Sequence, residues 1–307
     1  MMRRNTPMNN IKFAFFGTSH IAVYVLDALI DAGLSPALVV APPDKPQSRG
    51  LAPAPVAVSL RARELNIPLA HDWQEFESGA WDVAIVVDYG KILPRAVLGI
   101  PRRGFLNVHP SLLPRLRGAS PMRSAILTNE RETGVTIIQI DEQMDHGPIV
   151  AQKRVAIPAW SDQLTDQGGL ARRSLVEGGP PHLADMERIL VQEGGKLLAE
   201  MLPLWTHGEI VALEQNHDVA TYTEKFTKED GLLDLHADAY QNLLKIRAFE
   251  GWPGTYAFFE VRGKKTRVKI LDAHIANDAL VIERVVPEGK REMPYQDFLQ
   301  SGAVYSA

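Results

Sequence analysis

The segment IKFAFFG (residues 11–17), followed by IAVYVLDALIDAG (residues 21–33), decides the fold class of this chain. The first run is almost continuously apolar and ends in glycine, which is typical of a strand buried on both faces. The second run spaces its apolar residues for one face of a helix and ends at Gly33, as helices often do. A buried strand followed by a helix predicts the first unit of a parallel α/β sheet.

The same pattern continues along the chain. Ser120 and Pro121 predict a helix start with a capping hydroxyl, and residues 183–205 predict a longer helix. Alternating buried strands and connecting segments predict a doubly wound α/β domain with a mostly parallel sheet. The runs that carry this prediction are ALVVA (37–41), VAVSLRARELN (56–66), DVAIVVD (82–88), GFLNVH (104–109), GVTIIQI (134–140) and IVAQKRVAI (149–157).

A length of 307 residues fits two domains. Residues 1–10 are expected to form a flexible tail, and residues 11–206 the α/β domain. The periodicity lapses at 207–223, which we interpret as a linker. Residues 224–307 contain one helical run and several short β-like runs, so they predict a small, mainly β domain.

The composition excludes several classes of protein. The chain has no cysteine, which excludes disulfides and thiolate chemistry and suits the cytoplasm. No apolar run approaches the roughly 18 to 20 residues of a membrane helix, so no membrane partner is expected. The formal net charge of −4 means that nucleic acid would have to be bound by a local basic patch.

Three common catalytic motifs are missing from the sequence. Gly17 is followed by Thr18, Ser19 and His20, so the glycine-rich cradle for a dinucleotide is absent. No H-E-x-x-H or comparable spacing predicts a metal site, and no metal is expected. Ser111 lies outside any G-x-S-x-G elbow, which disfavours a serine acyl-enzyme.

Asn107 and His109 are the most distinctive polar residues at a predicted strand end. Residues two apart on a strand point to the same face, and Pro110 stops the strand. The turn DEQMDHG (141–147) follows another strand and could reach the same edge of the sheet. An amide donor, an imidazole and the carboxylate of Asp145 would suit direct acyl transfer to an amine. A structural hydrogen-bonding pair and an ordinary turn remain the alternative interpretation of these residues.

Taken together, GFLNVHPSLLPRLRGASPMRSAI and GVTIIQIDEQMDHGPIV resemble the active-site segments of formyltransferases that use 10-formyltetrahydrofolate. FFGTSHIAVYVLDAL, PPDKPQSRGLAPAPV, VVDYGKILPRAVL, ATYTEKFTKEDGLLD and IRAFEGWPGTY are similar to segments of the branch that acts on methionyl-tRNA. The resemblance implies a Rossmann-like catalytic domain followed by an OB-like β-barrel. It also implies that Asn107, His109 and Asp145 are catalytic.

The same resemblance implies two sets of binding residues and a monomeric enzyme. The formyl donor would contact Asp88, Tyr89, Gly90, Lys91, Ile92, Leu93, Ser111, Leu112, Leu113, Pro114 and Asp141. Methionyl-initiator tRNA would contact Lys45, Arg49, Arg115, Arg117, Lys264, Lys265 and Arg267. In this picture the methionyl α-amine attacks the formyl carbon, and the proline-rich loop carrying Arg49 enters the acceptor stem.

The sequence departs from the family pattern at several positions. Leu51 and Ala52 make the proline-rich loop less basic, and His146 is an additional titratable group. Only residues 276–278 separate two C-terminal β runs, which predicts a shortened barrel. Residues 161–182, rich in glycine pairs, predict an irregular excursion longer than is usual for the family.

Three alternative functions stand beside this one. A formyltransferase of the same superfamily could act on an amino-sugar nucleotide, which the weaker basic loop and the short barrel mildly favour. A non-catalytic folate- or RNA-binding module is a second alternative, although the three catalytic residues speak against it. Hydrolysis of the formyl donor would use the same three residues on water, but that branch carries a further N-terminal domain that we do not expect here.

Overall fold

The computed structural model describes residues 11–46, 53–156 and 180–306, and all statements on structure refer to these residues. The chain divides into two compact units. The first unit comprises residues 1–117, 134–155 and 188–222, and the second comprises residues 118–133, 156–187 and 223–307. The domain boundaries predicted from the sequence stay a prediction.

The first unit is built on a seven-stranded, mostly parallel sheet, which confirms the predicted fold class. Its strands are β1 (Phe13–Gly17), β2 (Leu38–Val40), β5 (Leu69–Ala70), β6 (Val83–Val87), β7 (Phe105–His109), β8 (Glu132–Gln139) and β9 (Ile149–Ala156). They follow the order β5-β2-β1-β6-β7-β8-β9. The first five are parallel to one another, whereas β8 is antiparallel to β7. Two short strands, β3 (Lys45–Pro46) and β4 (Pro53–Ala54), form a separate antiparallel pair.

The helices in the described part of the chain complete the α/β pattern. They are α1 (His20–Asp31), α2 (Ala57–Glu64), α3 (Gln74–Glu77), α4 (Arg95–Leu98), α5 (Pro121–Leu127), α6 (Leu183–His207), α7 (Ala239–Ala248) and α8 (Tyr295–Leu299). The predicted helix after Ser120 does begin at Pro121. The predicted capping hydroxyl is wrong, because within the described residues the Ser120 side chain makes no cap hydrogen bond. Its backbone N–H instead donates to the Thr223 hydroxyl.

Strand β1 separates two apolar layers of the first unit. Its side chains alternate between the faces, so Phe13 and Phe15 join one buried cluster while Ala14 and Phe16 join another. Helix α1 packs its apolar face against the first of these clusters. Gly17 is needed where β1 meets this helix, because a Cβ atom there would lie 2.7 Å from the Cβ of Ala22. Burial on both faces therefore explains the continuous apolar run that begins the chain.

Segment 207–223, predicted to be a linker, is joined by several hydrogen bonds to the loops of the first unit. Leu213 and Ile149 exchange backbone hydrogen bonds of 2.7 and 2.8 Å. The N–H of Arg117 donates to the carbonyl of Thr221 at 2.8 Å. Arg117 lies in the loop that follows β7, and Ile149 begins β9 just after the turn 141–147, so the segment contacts the parts of the chain that adjoin His109 and Asp145.

The second unit contains a five-stranded antiparallel sheet, which confirms the predicted small β domain. Its strands are β10 (Thr255–Val261), β11 (Lys264–Ala276), β12 (Ala279–Pro287), β13 (Met293–Pro294) and β14 (Ala303–Tyr305), in the order β13-β12-β11-β10-β14. Asn277 and Asp278 both have positive φ angles and connect β11 to β12 in a two-residue turn. This tight hairpin explains why so few residues separate the two C-terminal β runs in the sequence.

No helix in the described ranges has the length and apolar character needed to cross a membrane.

Candidate active site

Asn107 and His109 lie at the carboxyl end of β7. Asn107 is opposite Ile138 of β8, and His109 is opposite Thr136. Because the two residues are two positions apart on one strand, their side chains project from the same face. His109 is 4% exposed, whereas Asn107 is half-buried. The strand ends at His109, as Pro110 predicts.

Asp145 lies beside His109. Its Oδ1 atom is 3.5 Å from Nδ1 of His109, and the two side chains are 14% and 5% exposed. This distance is that of an ion pair and exceeds that of an ordinary hydrogen bond. The turn 141–147 therefore meets the end of β7, as the sequence predicted.

The second ring nitrogen of His109 contacts the backbone. Nε2 lies 3.0 Å from the carbonyl oxygen of Leu116. A carbonyl only accepts hydrogen bonds, so Nε2 carries a hydrogen in this arrangement. The Asp145 carboxylate then faces the ring nitrogen that gains a proton when the imidazole becomes charged. The imidazole is thus held between one carbonyl and one carboxylate.

The loop after β7 is fixed by buried hydrogen bonds. The Ser111 hydroxyl donates to the carbonyl of Arg115 at 2.7 Å, and Thr136 donates to the carbonyl of Ser111 at 2.7 Å. Gln152 donates to both the Leu113 carbonyl and the Thr136 hydroxyl. Ser111 is 0% exposed and Leu113 is 3% exposed. Their side chains face the protein interior, which speaks against the predicted direct contact of these two side chains with a ligand.

Residues 88–93 form an exposed strip after β6. Parallel strands β6 and β7 end at the same edge of the sheet, so this strip follows the strand next to His109. Asp88 and Gly90 have positive φ angles, and Ile92 is 94% exposed. Tyr89 is different, because its ring is 2% exposed and burial raises the pKa of its phenol. The backbone and Ile92, rather than the Tyr89 ring, are therefore accessible to a ligand.

The turn 141–147 is held by hydrogen bonds to Asp141 and by a stacking contact of His146. Asp141 accepts hydrogen bonds from the N–H of Gln143 at 2.9 Å and from Nδ1 of His146 at 2.6 Å. The His146 ring stacks on the His217 ring, with centroids 4.0 Å apart and planes 1° apart. Among the described residues, no three His, Asp or Glu side chains are grouped so that they could hold a metal ion.

This arrangement brings an amide, an imidazole and a carboxylate to one edge of the sheet. An amide N–H can stabilise an oxyanion, and an imidazole paired with a carboxylate can move a proton. The family comparison agrees with this chemistry. A family model described as formyl transferase matches residues 10–168, and one described as formyl transferase, C-terminal domain, matches residues 225–280. The chain belongs to the formyltransferase family.

Curated relatives of this formyltransferase cover most of its length. A methionyl-tRNA formyltransferase of Thermus thermophilus is 35% identical over 322 aligned positions, which cover 96% of this chain and 97% of that protein. A methionyl-tRNA formyltransferase of Chloroflexus aggregans is 38% identical over 268 positions, covering 84% of this chain and 79% of that protein.

Two solved structures share the fold of this formyltransferase. One is an N-formyltransferase from Helicobacter canadensis in complex with folinic acid and dTDP-3-aminofucose. It has a TM-score of 0.63 and 18% identity, and the match covers 87% of this chain and 89% of that chain. The other is HypX from Aquifex aeolicus in complex with tetrahydrofolic acid, with a TM-score of 0.61, 16% identity, and coverage of 94% and 47%.

The basic residues predicted to bind tRNA differ in their accessibility. Arg49 lies outside the described residues, and only the backbone of Lys45 is described, in β3. Arg115, Lys264 and Lys265 are exposed, and Arg267 is half-buried. Arg117 is 1% exposed, and its guanidinium donates to protein acceptors. This burial contradicts a tRNA contact by Arg117, so we remove it from the set.

Sequence reasoning missed three residues that contact the site of this formyltransferase. Gln215 donates to the carbonyls of Asp145 and Gly147, His217 stacks on His146, and Thr221 accepts from the N–H of Leu116. All three lie in segment 207–223, where the absence of periodicity gave no signal of a packed role. Their partners are distant in sequence, so only the fold reveals the contacts.

Proposed function

We propose that this formyltransferase transfers the formyl group of 10-formyltetrahydrofolate to the α-amine of methionyl-initiator tRNA. The observation that carries the proposal is the pairing of His109 with Asp145 at the sheet edge where Asn107 also projects. Near full-length similarity to methionyl-tRNA formyltransferases supports the choice of donor and acceptor.

The reaction needs three things from the protein. The amine nitrogen attacks the formyl carbon, a C–N bond forms, and an electron pair moves onto the formyl oxygen. Collapse of this intermediate breaks the bond from the formyl carbon to N10 of the folate, and the proton lost by the amine ends on N10. The protein must therefore stabilise the oxyanion, accept a proton and return it.

Asn107 supplies the uncharged donor to the oxyanion in this proposal. Its side chain shares the face of His109 and is partly accessible, so its amide N–H can reach a ligand at the sheet edge. Asp145 stabilises the charged imidazole and assists removal of the proton from the amine. The pair acts in a largely buried site, where electrostatic interactions are stronger than in water.

His109 can donate to the formyl oxygen only after its hydrogen bond to the Leu116 carbonyl is broken. Its Nε2 hydrogen is directed at the Leu116 carbonyl, so donor binding must replace that carbonyl with the formyl oxygen. Leu116 has a φ angle of 58°, a conformation that leucine rarely adopts. This backbone holds the carbonyl against the ring before substrate arrives.

The exposed strip 88–93 fits the flat, polar ring of the formyl donor. Its backbone groups lie beyond the end of β6, and Ile92 offers an accessible apolar side chain. Lys91 lies 5.9 Å from the rings of Trp73 and Tyr89, which keeps its charge near the strip. Leu112, Pro114 and Asp141 are half-buried and remain part of the proposed donor site, together with Asp88 and Leu93.

In the first unit, tRNA would be bound by the segment that joins β3 to β4, together with Arg115. The two strands pair Lys45 with Ala54, and the segment between them contains Arg49. Arg115 is exposed on the loop that follows β7. With a formal net charge of −4 on the whole chain, such local basic groups must supply the attraction for phosphates.

In the second unit, β10 and β11 present alternating aromatic and basic side chains. The guanidinium of Arg267 lies 3.7 Å from the ring centroid of Tyr256, and the ammonium of Lys265 lies 4.6 Å from that of Phe258. Cations over aromatic rings form surfaces that bind both phosphates and bases. We include this face in the proposed tRNA contact, together with the exposed Lys264 at the start of β11.

The reaction is proposed to take place in the cytoplasm, with the enzyme acting as a monomer. The absence of cysteine from the sequence suits a reducing compartment. Light scattering at micromolar concentration tests the proposed state, since a monomer has a mass of 34.0 kDa.

Formyl transfer from labelled 10-formyltetrahydrofolate tests the proposed function. The purified chain is offered methionyl-tRNA and a dTDP-amino sugar in parallel reactions. Rapid labelling of methionyl-tRNA, with the sugar at least about 100-fold slower in kcat/KM, supports the proposal. Preferential labelling of the sugar assigns the other branch of the family, and donor binding without labelling of either acceptor indicates a binding module.

A further inference from the structure

Arg117 is a buried side chain next to the active site, and its guanidinium makes several hydrogen bonds. It is 1% exposed, and it is one of the largest fully buried side chains among the described residues. Its Nε and one terminal nitrogen donate to Oε1 of Gln215 at 3.2 and 2.6 Å. It also reaches the Tyr222 hydroxyl at 3.1 Å and Nδ1 of His217 at 2.8 Å. A guanidinium only donates, so Nδ1 of His217 accepts this hydrogen bond.

Arg117 fixes which way the Gln215 amide points. Because Arg117 cannot accept a hydrogen bond, the Gln215 oxygen must face it and the nitrogen must face away. That nitrogen donates to the carbonyl of Asp145 at 2.8 Å and to the carbonyl of Gly147 at 2.7 Å. Gln215 is 5% exposed, so these are desolvated hydrogen bonds that are costly to lose.

The two carbonyls held by Gln215 belong to the turn that carries the catalytic carboxylate. Asp145 has a φ angle of 51°, so its backbone needs external support to hold this conformation. Gly147 packs so closely that a Cβ atom there would lie 1.9 Å from the carbonyl oxygen of Gln139. The backbone on both sides of His146 is therefore fixed, and the Asp145 carboxylate is directed at His109.

We propose that Gln215, oriented by Arg117, is a positioning residue that sets the backbone of 145–147 so that Asp145 faces His109. This inference rests on the function proposed above. It gives segment 207–223 a role in catalysis through the fold, although none of its residues is placed against the substrates. It also gives a role to Arg117, whose guanidinium is buried only two residues from the exposed Arg115.

The Gln215→Glu variant separates positioning from packing. It keeps the shape of the side chain and an oxygen that accepts from Arg117, but replaces the N–H donors with an oxygen facing two carbonyls. We expect kcat to fall about 10- to 100-fold, with the KM values for the formyl donor and methionyl-tRNA changing less than about 2-fold. Loss of the two buried hydrogen bonds should lower the thermal midpoint, and the ion pair with Arg117 should offset part of that loss.

Backbone hydrogen exchange provides a readout that does not depend on activity. In Gln215→Glu, peptides covering 141–147 should exchange faster, whereas peptides covering β1 and α1 should not change. Gln215→Met adds no charge but lacks both the donors and the oxygen that accepts from Arg117, so it should show the same faster exchange and lower kcat, with a lower thermal midpoint. Gln300→Glu, at an exposed position of the second unit, is the matched control and should leave kcat and exchange unchanged.

Faster exchange together with a reduced kcat in both Gln215 variants supports the proposal. An unchanged kcat in either folded variant overturns it, as does a reduced kcat with no change of exchange in 141–147. If the unaltered chain transfers no formyl group at all, the proposed function fails, and the exchange data still decide whether Gln215 holds the turn.

Discussion

Nδ1 of His109 lies 3.5 Å from Oδ1 of Asp145, across the gap between the end of β7 and the turn 141–147. The other nitrogen of the same ring donates to the Leu116 carbonyl at 3.0 Å. Both contacts come from loops that the first unit holds by side-chain hydrogen bonds. The geometry of the acid–base pair is therefore set by the loops around the sheet edge.

Removing the oxyanion donors should reduce turnover without preventing donor binding. Asn107→Ala and His109→Ala are each expected to lower kcat by about 100-fold or more, because each loses a group that acts on the formyl oxygen. Donor affinity, measured by fluorescence titration, should change little. The exposed His207→Ala variant serves as the control. Near-normal turnover in both active-site variants would remove the proposed roles.

Adding a methyl group at Gly147 should displace the catalytic turn. The new Cβ would meet the backbone oxygen of Gln139 at 1.9 Å, so the turn must shift. We expect Gly147→Ala to lower kcat by about 100-fold or to lower the thermal midpoint by several degrees. Gly99→Ala is the matched control, because its Cβ would lie 3.8 Å from its nearest neighbour. Equal behaviour of the two variants would show that the turn tolerates displacement.

The two proposed tRNA surfaces predict effects that are specific to tRNA. Arg49→Ala and Arg267→Ala should raise the KM for methionyl-tRNA several-fold, since each removes a cation from a proposed phosphate contact. Each should also reduce the salt dependence of kcat/KM by about one unit of log–log slope. The exposed Arg291→Ala variant should change neither quantity. Unchanged tRNA kinetics in Arg49→Ala would remove the segment that joins β3 to β4 from the proposed interface.

The Glu193 carboxylate should stabilise the folded chain in a pH-dependent way. Its carboxylate lies 2.5 Å from Nζ of Lys153 and 3.0 Å from Nζ of Lys196, and hydrogen bonds to these lysines lower its pKa. A lowered pKa stabilises the folded chain above the unfolded value of about 4.3, and this stabilisation is lost as the pH falls through the folded-state pKa.

The measurement is the thermal midpoint of Glu193→Gln from pH 3 to pH 7. We expect a midpoint about 1 to 3 °C lower than that of the unaltered chain at pH 7, and a difference that closes below about pH 4. The exposed Glu209→Gln variant should show no such trend. A difference that persists unchanged at low pH would mean that Glu193 acts through packing alone.

The sequence predicted the elements that are set by local pattern. The buried run of β1, the helix that ends near Gly33 and the alternation of strands and helices follow from apolar periodicity. Asn107 and His109 could be located because a strand end and a proline mark their position. The short connection between β11 and β12 followed from the spacing of two β runs, and the structure narrows the three intervening residues 276–278 to the two-residue turn of Asn277 and Asp278.

The remaining features depend on contacts between distant segments. Nothing local distinguishes the buried Arg117 from the exposed Arg115, two residues away. Burial of Arg117 depends on Gln215, 98 positions further along the chain. The contact of the Ser120 backbone N–H with the Thr223 hydroxyl likewise joins residues 103 positions apart. Such pairings become visible only when the fold brings the segments together.

The most direct test of the account is the single-turnover rate of Asp145→Asn with methionyl-tRNA and labelled 10-formyltetrahydrofolate. The substitution keeps the shape of the side chain but removes the charge that faces His109. The account predicts a rate at least about 100-fold lower, with donor and tRNA affinities retained and with Asp31→Asn, an exposed control, unaffected. A rate within about 3-fold of the unaltered chain would contradict the account, because the His109–Asp145 pair would then not be needed for transfer.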